Sequence, residues 1–424
     1  CYVKGQQNTM LRNSLVQGRH LSRCFLLDSW SHNVRSSPPL KLAVASYYMS
    51  AKTGKDDDVY VVNLRSDTFT GPTPAMREAM VTAPLGDDVY GEDPTVNKLQ
   101  EECAELLGQE AALLVPTGTM GNISAILTHC TQRFEEVLLG DQSHIYLYEV
   151  GGISTLAGVQ PRSVKNNADG TLDLDDLQSK IRSRSDPHFP WTRVVCLENS
   201  QNKCGGSVLS LDFIKQVRKI ADANDLVMHL DGARVMNAAT ALQVPPSHIT
   251  QYFDSISMCF SKGLSCPVGS ILAGSKDFIT RALWARKALG GGMRQAGVIA
   301  APMRIALKEI VPQLKDDHAR AKKIAQAVAD LGNGSVLSAD MNAIQTNIIM
   351  LQTTRSDITA AQVCQRLMQI PDAEVAALGE KIALETVPFS DTTLRFVTYH
   401  GITDQDVDRA IKKLQYVLKE MAAA

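Results

Sequence analysis

Val227-Met-His229-Leu-Asp231-Gly232-Ala233-Arg234, and after it Ser255-Ile-Ser-Met-Cys-Phe-Ser261-Lys262-Gly263-Leu264, is the stretch whose reading decides the fold of this chain. Each half is an apolar, strand-like run that ends in one chemistry-bearing residue next to glycine. Asp231 closes the first run, and Lys262 closes the second 31 positions later. Enzymes that use pyridoxal 5′-phosphate (PLP) need both groups: a lysine for the Schiff base and an acid to keep the pyridine nitrogen protonated. A lone Ser-Lys-Gly would mean little, because most lysines are solvated surface charges. The order, the spacing and the glycine-rich surroundings together point to a cofactor site.

Outward from this pair, short apolar strands alternate with helical text. Strand-like runs stand at Val61–Leu64, Ala111–Pro116, Glu136–Leu139, Arg193–Leu197, Leu226–Leu230, Ser255–Cys259 and Gly269–Ala273. Helices are expected from Thr95 to Leu107, after Thr117-Gly118-Thr119, and from Asp212 to Asn224. Such alternation predicts an α/β fold with a mainly parallel, helix-covered sheet. Sites in these sheets lie at the carboxyl ends of the strands, where Asp231 and Lys262 fall. One long helical stretch, Ile299 to Leu331, leads to a smaller C-terminal α+β unit with strands at Asn347–Leu351 and Thr393–Val397. The expected division is 1–58 as an N-terminal extension, 59–311 as the large PLP-binding domain and 312–424 as the small domain.

Composition narrows the function classes. At 424 residues, 44% hydrophobic and 21% charged, the chain is an ordinary globular sequence long enough for two domains. A net charge of -2 gives no global reason for nucleic acid or an anionic membrane as partner. No run approaches the length of a membrane-spanning helix. The nine cysteines are scattered, without a Cys-x-x-Cys pair, which argues against a disulfide framework or a zinc cluster; no metal is expected. The first 56 residues carry eight Lys/Arg against only Asp28 and Asp56, with many serines. That composition fits a mitochondrial transit peptide, with a disordered extension as the alternative. The expected location is accordingly the cytoplasm or the mitochondrial matrix.

Other residues join the pair. Thr117-Gly118-Thr119 joins a strand to a helix, where glycine lets the backbone approach an anion and the helix start favours phosphate. His144 follows a strand, positioned to stack on a ring, although a histidine there is more often structural. Arg234 and Arg395 are candidates for gripping a substrate α-carboxylate by bidentate geometry. Gly290-Gly-Gly-Met-Arg294 is a glycine loop carrying a cation, suited to a phosphate or a subunit contact.

The chain resembles the low-specificity L-threonine (L-allo-threonine) aldolases, PLP enzymes of the aspartate-aminotransferase fold (fold type I). The resemblance runs from about Asn63 to the C-terminus. It rests on Asn63-Leu-Arg65-Ser66-Asp67-Thr68, Gly86-Asp-Asp-Val-Tyr90-Gly-Glu92-Asp93-Pro94, Pro116-Thr-Gly-Thr-Met-Gly-Asn122, Ser143-His144, His229-Leu-Asp231-Gly-Ala-Arg234, Ser261-Lys262-Gly-Leu and Gly290-Gly-Gly-Met-Arg-Gln-Ala-Gly297. It implies that Lys262 carries the Schiff base, Asp231 holds the pyridine nitrogen, and His144 stacks on the ring and does base work at the substrate hydroxyl. It further implies Gly118, Thr119 and Arg294 on the phosphate, and Ser66, Arg234 and Arg395 on the substrate carboxylate. Homotetramers or dimers with sites at subunit interfaces are implied too, with Tyr90 and Arg294 near a neighbouring site. The implied reaction is retro-aldol cleavage of a β-hydroxy-α-amino acid to glycine and an aldehyde. Two positions depart from the family: Gln201 stands where a histidine near the substrate hydroxyl is usual, and Tyr399 where a histidine is usual. The rival readings are a β-eliminating lyase of the same fold and a catalytically silent assembly partner.

Overall fold

β1 (Tyr60–Asn63) is the first strand among the residues that the computed structural model describes, 58–332 and 335–423. The basic N-terminal segment, and with it the transit-peptide expectation, lies outside the described residues. Seven strands make the main sheet: β2 (Ala111–Val115), β3 (Glu135–Gly140), β4 (Gln160–Val164), β5 (Trp191–Glu198), β6 (Val227–Asp231), β7 (Ser255–Cys259) and β8 (Ser270–Gly274), ordered β2-β8-β7-β6-β5-β3-β4. β4, β3, β5, β6 and β7 pair in parallel. The α/β reading with a mainly parallel sheet is therefore the architecture found. β8 differs: it runs antiparallel to both β7 and β2. The link from β7 spans only Phe260 to Gly269, too short for the crossover that parallel pairing requires.

Every residue of β3, β7 and β8 is buried, as a sheet covered on both faces demands. Helix α1 (Pro94–Leu106) starts one residue before the expected Thr95, because the Asp93 carboxylate caps the N–H groups of Thr95 and Val96. Helix α2 (Gly118–His129) follows β2 after an N-cap at Thr117. Helix α3 (Leu211–Ala223) buries Phe213, Ile214, Val217 and Ala221 along one stripe and leaves its charged face outside. Each large side chain buried this way contributes about 1.5–3 kcal/mol.

The long helix expected over Ile299–Leu331 is in fact two, α4 (Gly297–Glu309) and α5 (Leu314–Ala329), separated by a short 3₁₀ turn at Val311–Gln313. Pro312 lies in that turn; proline has no N–H to donate and its ring crowds the preceding helical turn. Pro302, by contrast, is accommodated inside α4.

The C-terminal α+β part has β9 (Leu337–Ala339), β10 (Ile348–Thr353), β11 (Ile382–Glu385), β12 (Val387–Pro388) and β13 (Thr393–Val397). Four of these form an antiparallel sheet, β12-β13-β10-β9. The fifth, β11, pairs in parallel with β1, and Val397 N–H donates to the Leu64 carbonyl at 2.8 Å. These bonds carry the Arg65–Asp67 turn, which follows β1, to the strand that holds Arg395.

Candidate active site

The carboxyl ends of the parallel strands gather the chemistry. β6 ends at Asp231, whose register partners are Glu198 at the end of β5 and Ser257 in β7. β7 ends three residues before Lys262, and β3 ends four residues before His144. Lys262 is fixed through its backbone: its carbonyl accepts from Ser265 N–H at 2.8 Å and from the Thr70 hydroxyl at 2.9 Å. Its charge acts on both Asp67 and His144, so the amine lies near both.

Asp231 is buried and accepts from the Asn122 amide at 3.0 Å and from Ala233 N–H at 3.2 Å. His144 is anchored by its own N–H, which donates to Glu198 at 2.7 Å, and by Nδ1, which lies 3.0 Å from Glu149. Burial alone would lower the His144 pKa; the Glu149 hydrogen bond and the Asp231 charge outweigh it and place the pKa above the usual histidine value. Burial, with the Asp231 charge added, pushes the Glu198 carboxyl up to about 7. His144, Glu149 and Asp231 offer atoms within 4.8 Å of one another, a spacing that would also span a cation. Asn122 already donates to both carboxylates, however, and Glu149 faces the imidazole, so the donor set suits a flat cationic ring better than a metal ion.

Gly118 opens α2 beside these groups. A Cβ there would come within 2.5 Å of Cys259 Sγ and 3.6 Å of Ser270 Oγ. Only glycine allows this close approach between the helix start and β7. Thr117 Oγ accepts from Met120 N–H, while the first N–H groups of a helix have no acceptor within it. The buried Ser270 hydroxyl has no partner. A helix start open to an anion, a buried carboxylate, an imidazole and a lysine gathered at the same strand ends suit in kind the phosphate, ring nitrogen, ring face and aldehyde of PLP. The residues present fit that cofactor.

Not every expected residue is arranged as anticipated. Arg234 gives Nε and Nη2 to Asp67, both at 2.7 Å, in a fully buried bidentate pair. This leaves only its Nη1 side outside the pair. Burial raises the Asp67 pKa, but the Arg234 contacts overcome it and hold the carboxyl at about 2. Ser66 caps the turn that carries Asp67, accepting from Thr68 N–H and its hydroxyl. Arg395 donates to Asn202 Oδ1 at 2.9 Å and to the Arg65 carbonyl at 3.1 Å, and lies 5.1 Å from the Phe389 ring centre. Ser66, Asp67, Arg234, Arg395 and Lys262 are thus brought together. Arg294 sits apart: its side chain is 53% exposed and paired with Asp87 at 2.9 Å.

Both family departures have structural roles. The Gln201 amide donates to the Gln142 carbonyl at 2.9 Å and accepts from Cys204 N–H at 2.6 Å. Tyr399 donates its hydroxyl to the Asn63 carbonyl at 2.9 Å, tying the segment after β13 to the end of β1. Asp67, Asn122, Glu149, Glu198 and His229 escaped assignment from sequence. Asp67, Asn122 and His229 stand inside quoted motifs, Glu198 follows the run Arg193–Leu197 and Glu149 lies five residues after His144; only their mutual contacts reveal what they do.

The beta-eliminating lyase family model matches residues 63–355, and enzymes of that class depend on PLP. Among curated proteins, the low specificity L-threonine aldolase of Escherichia coli (strain K12) is 44% identical over 348 residues, 82% of this chain and 96% of that protein. Low-specificity L-threonine aldolase 1 of Arabidopsis thaliana is 41% identical over 362 residues, 85% of this chain and 97% of that protein. The solved structure of Leishmania major threonine aldolase superposes with a TM-score of 0.66 at 19% identity, covering 85% of this chain and 99% of that one, and shares the fold. The chain belongs to the low-specificity L-threonine aldolase family of PLP-dependent lyases.

Proposed function

We propose that this chain cleaves L-threonine and L-allo-threonine to glycine and acetaldehyde by a retro-aldol reaction, in threonine catabolism and glycine formation. The observation that carries this reading is the convergence of Lys262, Asp231 and His144 on the carboxyl ends of β7, β6 and β3, beside the glycine-opened start of α2. PLP, when bound, supplies an aldehyde for the substrate amine and a protonated ring that takes up the electron pair of the broken Cα–Cβ bond. Lys262 is the amine that holds the aldehyde between turnovers. Asp231, oriented by the N–H groups of Asn122 and Ala233, would hold the proton on the ring nitrogen. Gly118 and Thr119 offer backbone N–H groups to the phosphate, with Arg294 as a further cation. Arg395, Ser66 and the outward side of Arg234 grip the substrate carboxylate and so set which Cα bond lies across the ring. His144 has Nδ1 turned to Glu149, which leaves Nε2 as the base for the β-hydroxyl proton. Loss of that proton releases the aldehyde, and reprotonation at Cα gives glycine.

Among the described residues no helix is long and apolar enough to cross a membrane. The substrate is a small-molecule amino acid, and we propose a homo-oligomer, dimer or tetramer, with exposed Tyr90 and half-exposed Arg294 at the subunit contact. We place the enzyme in the cytoplasm or the mitochondrial matrix. The test is incubation of the PLP-loaded protein with each of the four threonine stereoisomers. Glycine and acetaldehyde in equal amounts from the L isomers support the reading; 2-oxobutanoate and ammonia in their place would mark a β-eliminating enzyme.

A further inference from the structure

Behind Asp231 lies a buried polar chain that the reaction does not use directly. His129 Nε2 lies 2.8 Å from Ser255 Oγ, Ser255 Oγ lies 2.8 Å from His229 Nδ1, and His229 Nε2 lies 3.0 Å from Asn122 Oδ1. The Asn122 amide nitrogen then reaches Glu149 at 2.9 Å and Asp231 at 3.0 Å. All six residues are buried.

Donor and acceptor chemistry fixes the direction of every bond. An ionised carboxylate only accepts, so both hydrogens of the Asn122 amide are committed to the two acids. Asn122 Oδ1 can only accept, so His229 carries its proton on Nε2. Burial, only partly opposed by the Asp231 charge, lowers the His229 pKa to about 4, so the ring is neutral near pH 7 and its Nδ1 is bare. Ser255 therefore donates to Nδ1 and accepts from a His129 Nε2–H. Every proton in the chain points toward the two acids.

We propose that His229 and Asn122 are positioning residues for the cofactor-facing acid. The His229 Nε2–H holds the Asn122 amide with its NH₂ toward Asp231 and Glu149, so that each buried carboxylate keeps a donor. Rotating the amide by half a turn would set its oxygen against two carboxylate oxygens and its NH₂ against the His229 N–H. Without the lock, the amide is free to turn its oxygen toward the two acids, and Asp231 loses a hydrogen bond that orients it toward the ring nitrogen. This rests on the reading of Asp231 as partner of the pyridine nitrogen.

The first measurement needs no cofactor. In the full chain without PLP, ¹⁵N histidine spectra at neutral pH are expected to show His229 and His129 as neutral Nε2–H tautomers. A His229 Nδ1–H tautomer or imidazolium overturns the proposal. The second compares two variants by PLP titration. In His229→Gln the amide nitrogen falls near the former Nε2 and still donates to Asn122. In His229→Asn the side chain reaches only the former Nδ1, keeping Ser255 but releasing Asn122. PLP affinity is expected to fall about tenfold or more in His229→Asn, the range of a lost charge-assisted hydrogen bond, and much less in His229→Gln. Equal losses in both variants, or none in either, overturn the lock; if neither variant folds, the spectra of the unaltered chain still decide. Should the unaltered protein bind PLP without linking it to Lys262, the functional reading fails while the tautomer result stands by itself.

Discussion

At the scale of single residues, His144 and its partner Glu149 set the pH response. The neighbouring Glu149 and Asp231 hold the His144 pKa above 6.5, and a base must be unprotonated to act. Activity is therefore expected to rise with pH through a value above 6.5. Glu149→Gln removes the carboxylate, so the rising limb should move to lower pH; a pH profile of kcat checks it, and an unmoved limb would detach Glu149 from the base. Lys262 carries a sharper expectation. Borohydride reduction of the loaded protein should attach PLP covalently to Lys262 and to no other lysine, as read by peptide mass spectrometry, while Lys262→Ala should retain no covalent PLP and lose turnover. Gln201 is the instructive departure. Both ends of its amide are spent on backbone groups, so its present work is to tie the turn at Cys204 to the loop after β3 at Gln142 rather than to exchange protons.

At the scale of elements, the start of α2 against β7 is the tightest joint in the site. Gly118→Ala would push a methyl into Cys259 Sγ, with only 2.5 Å available. Moving the helix start by a few tenths of an ångström would displace the N–H groups proposed for the phosphate. PLP affinity is expected to fall about tenfold or more, the size of a charge-assisted hydrogen bond. The double variant Gly118→Ala/Cys259→Ala removes the obstructing sulfur and should recover most of that loss. A titration of PLP against the single and double variants measures it; no recovery would mean that the glycine serves something other than space. Asp93 works at the same scale. One oxygen caps α1, and the other accepts from Gly297 N–H at 2.9 Å, joining two helix starts through one carboxylate.

At the scale of the whole molecule, burial of acids makes stability depend on pH in two opposite ways. Asp67 is held at about 2 by Arg234, so its contribution is present above the ordinary carboxyl value of 3.8 and is lost as pH falls from there toward about 2. Glu198 and Asp317 are raised by burial to about 7, so folding favours their protonated forms. Their contribution is present below about 4 and is lost as pH rises through about 7. Buried His229 and His318, lowered to about 4, act the other way: their contribution is present above the ordinary value of 6.5 and is lost as pH falls toward about 4. The two sets offset each other between about 4 and 6.5, and the cofactor-free protein is expected to lose melting temperature as pH rises through about 7. Melting curves check it; a melting temperature that still climbs as pH rises through about 7 would contradict the assignment.

The sequence by itself determined the alternation of strands and helices, and with it the positions of Asp231, Lys262, His144 and Gly118. Each of these follows the end of a strand within a few residues, so local periodicity is enough to place it. Tertiary structure alone decided the partners. Arg234 finds Asp67 across 167 positions, and Asn122 finds Asp231 across 109. No periodic pattern encodes such pairings, because they depend on which strand ends the sheet order makes neighbours. The antiparallel turn of β8 was likewise hidden, since strand text carries side-chain alternation and burial but no sign of direction. The same holds for Gln201, Tyr399 and the chain from His129 to Asn122. Whether a polar side chain meets substrate or backbone is settled by the acceptors and donors that folding places within 3 Å or so of it.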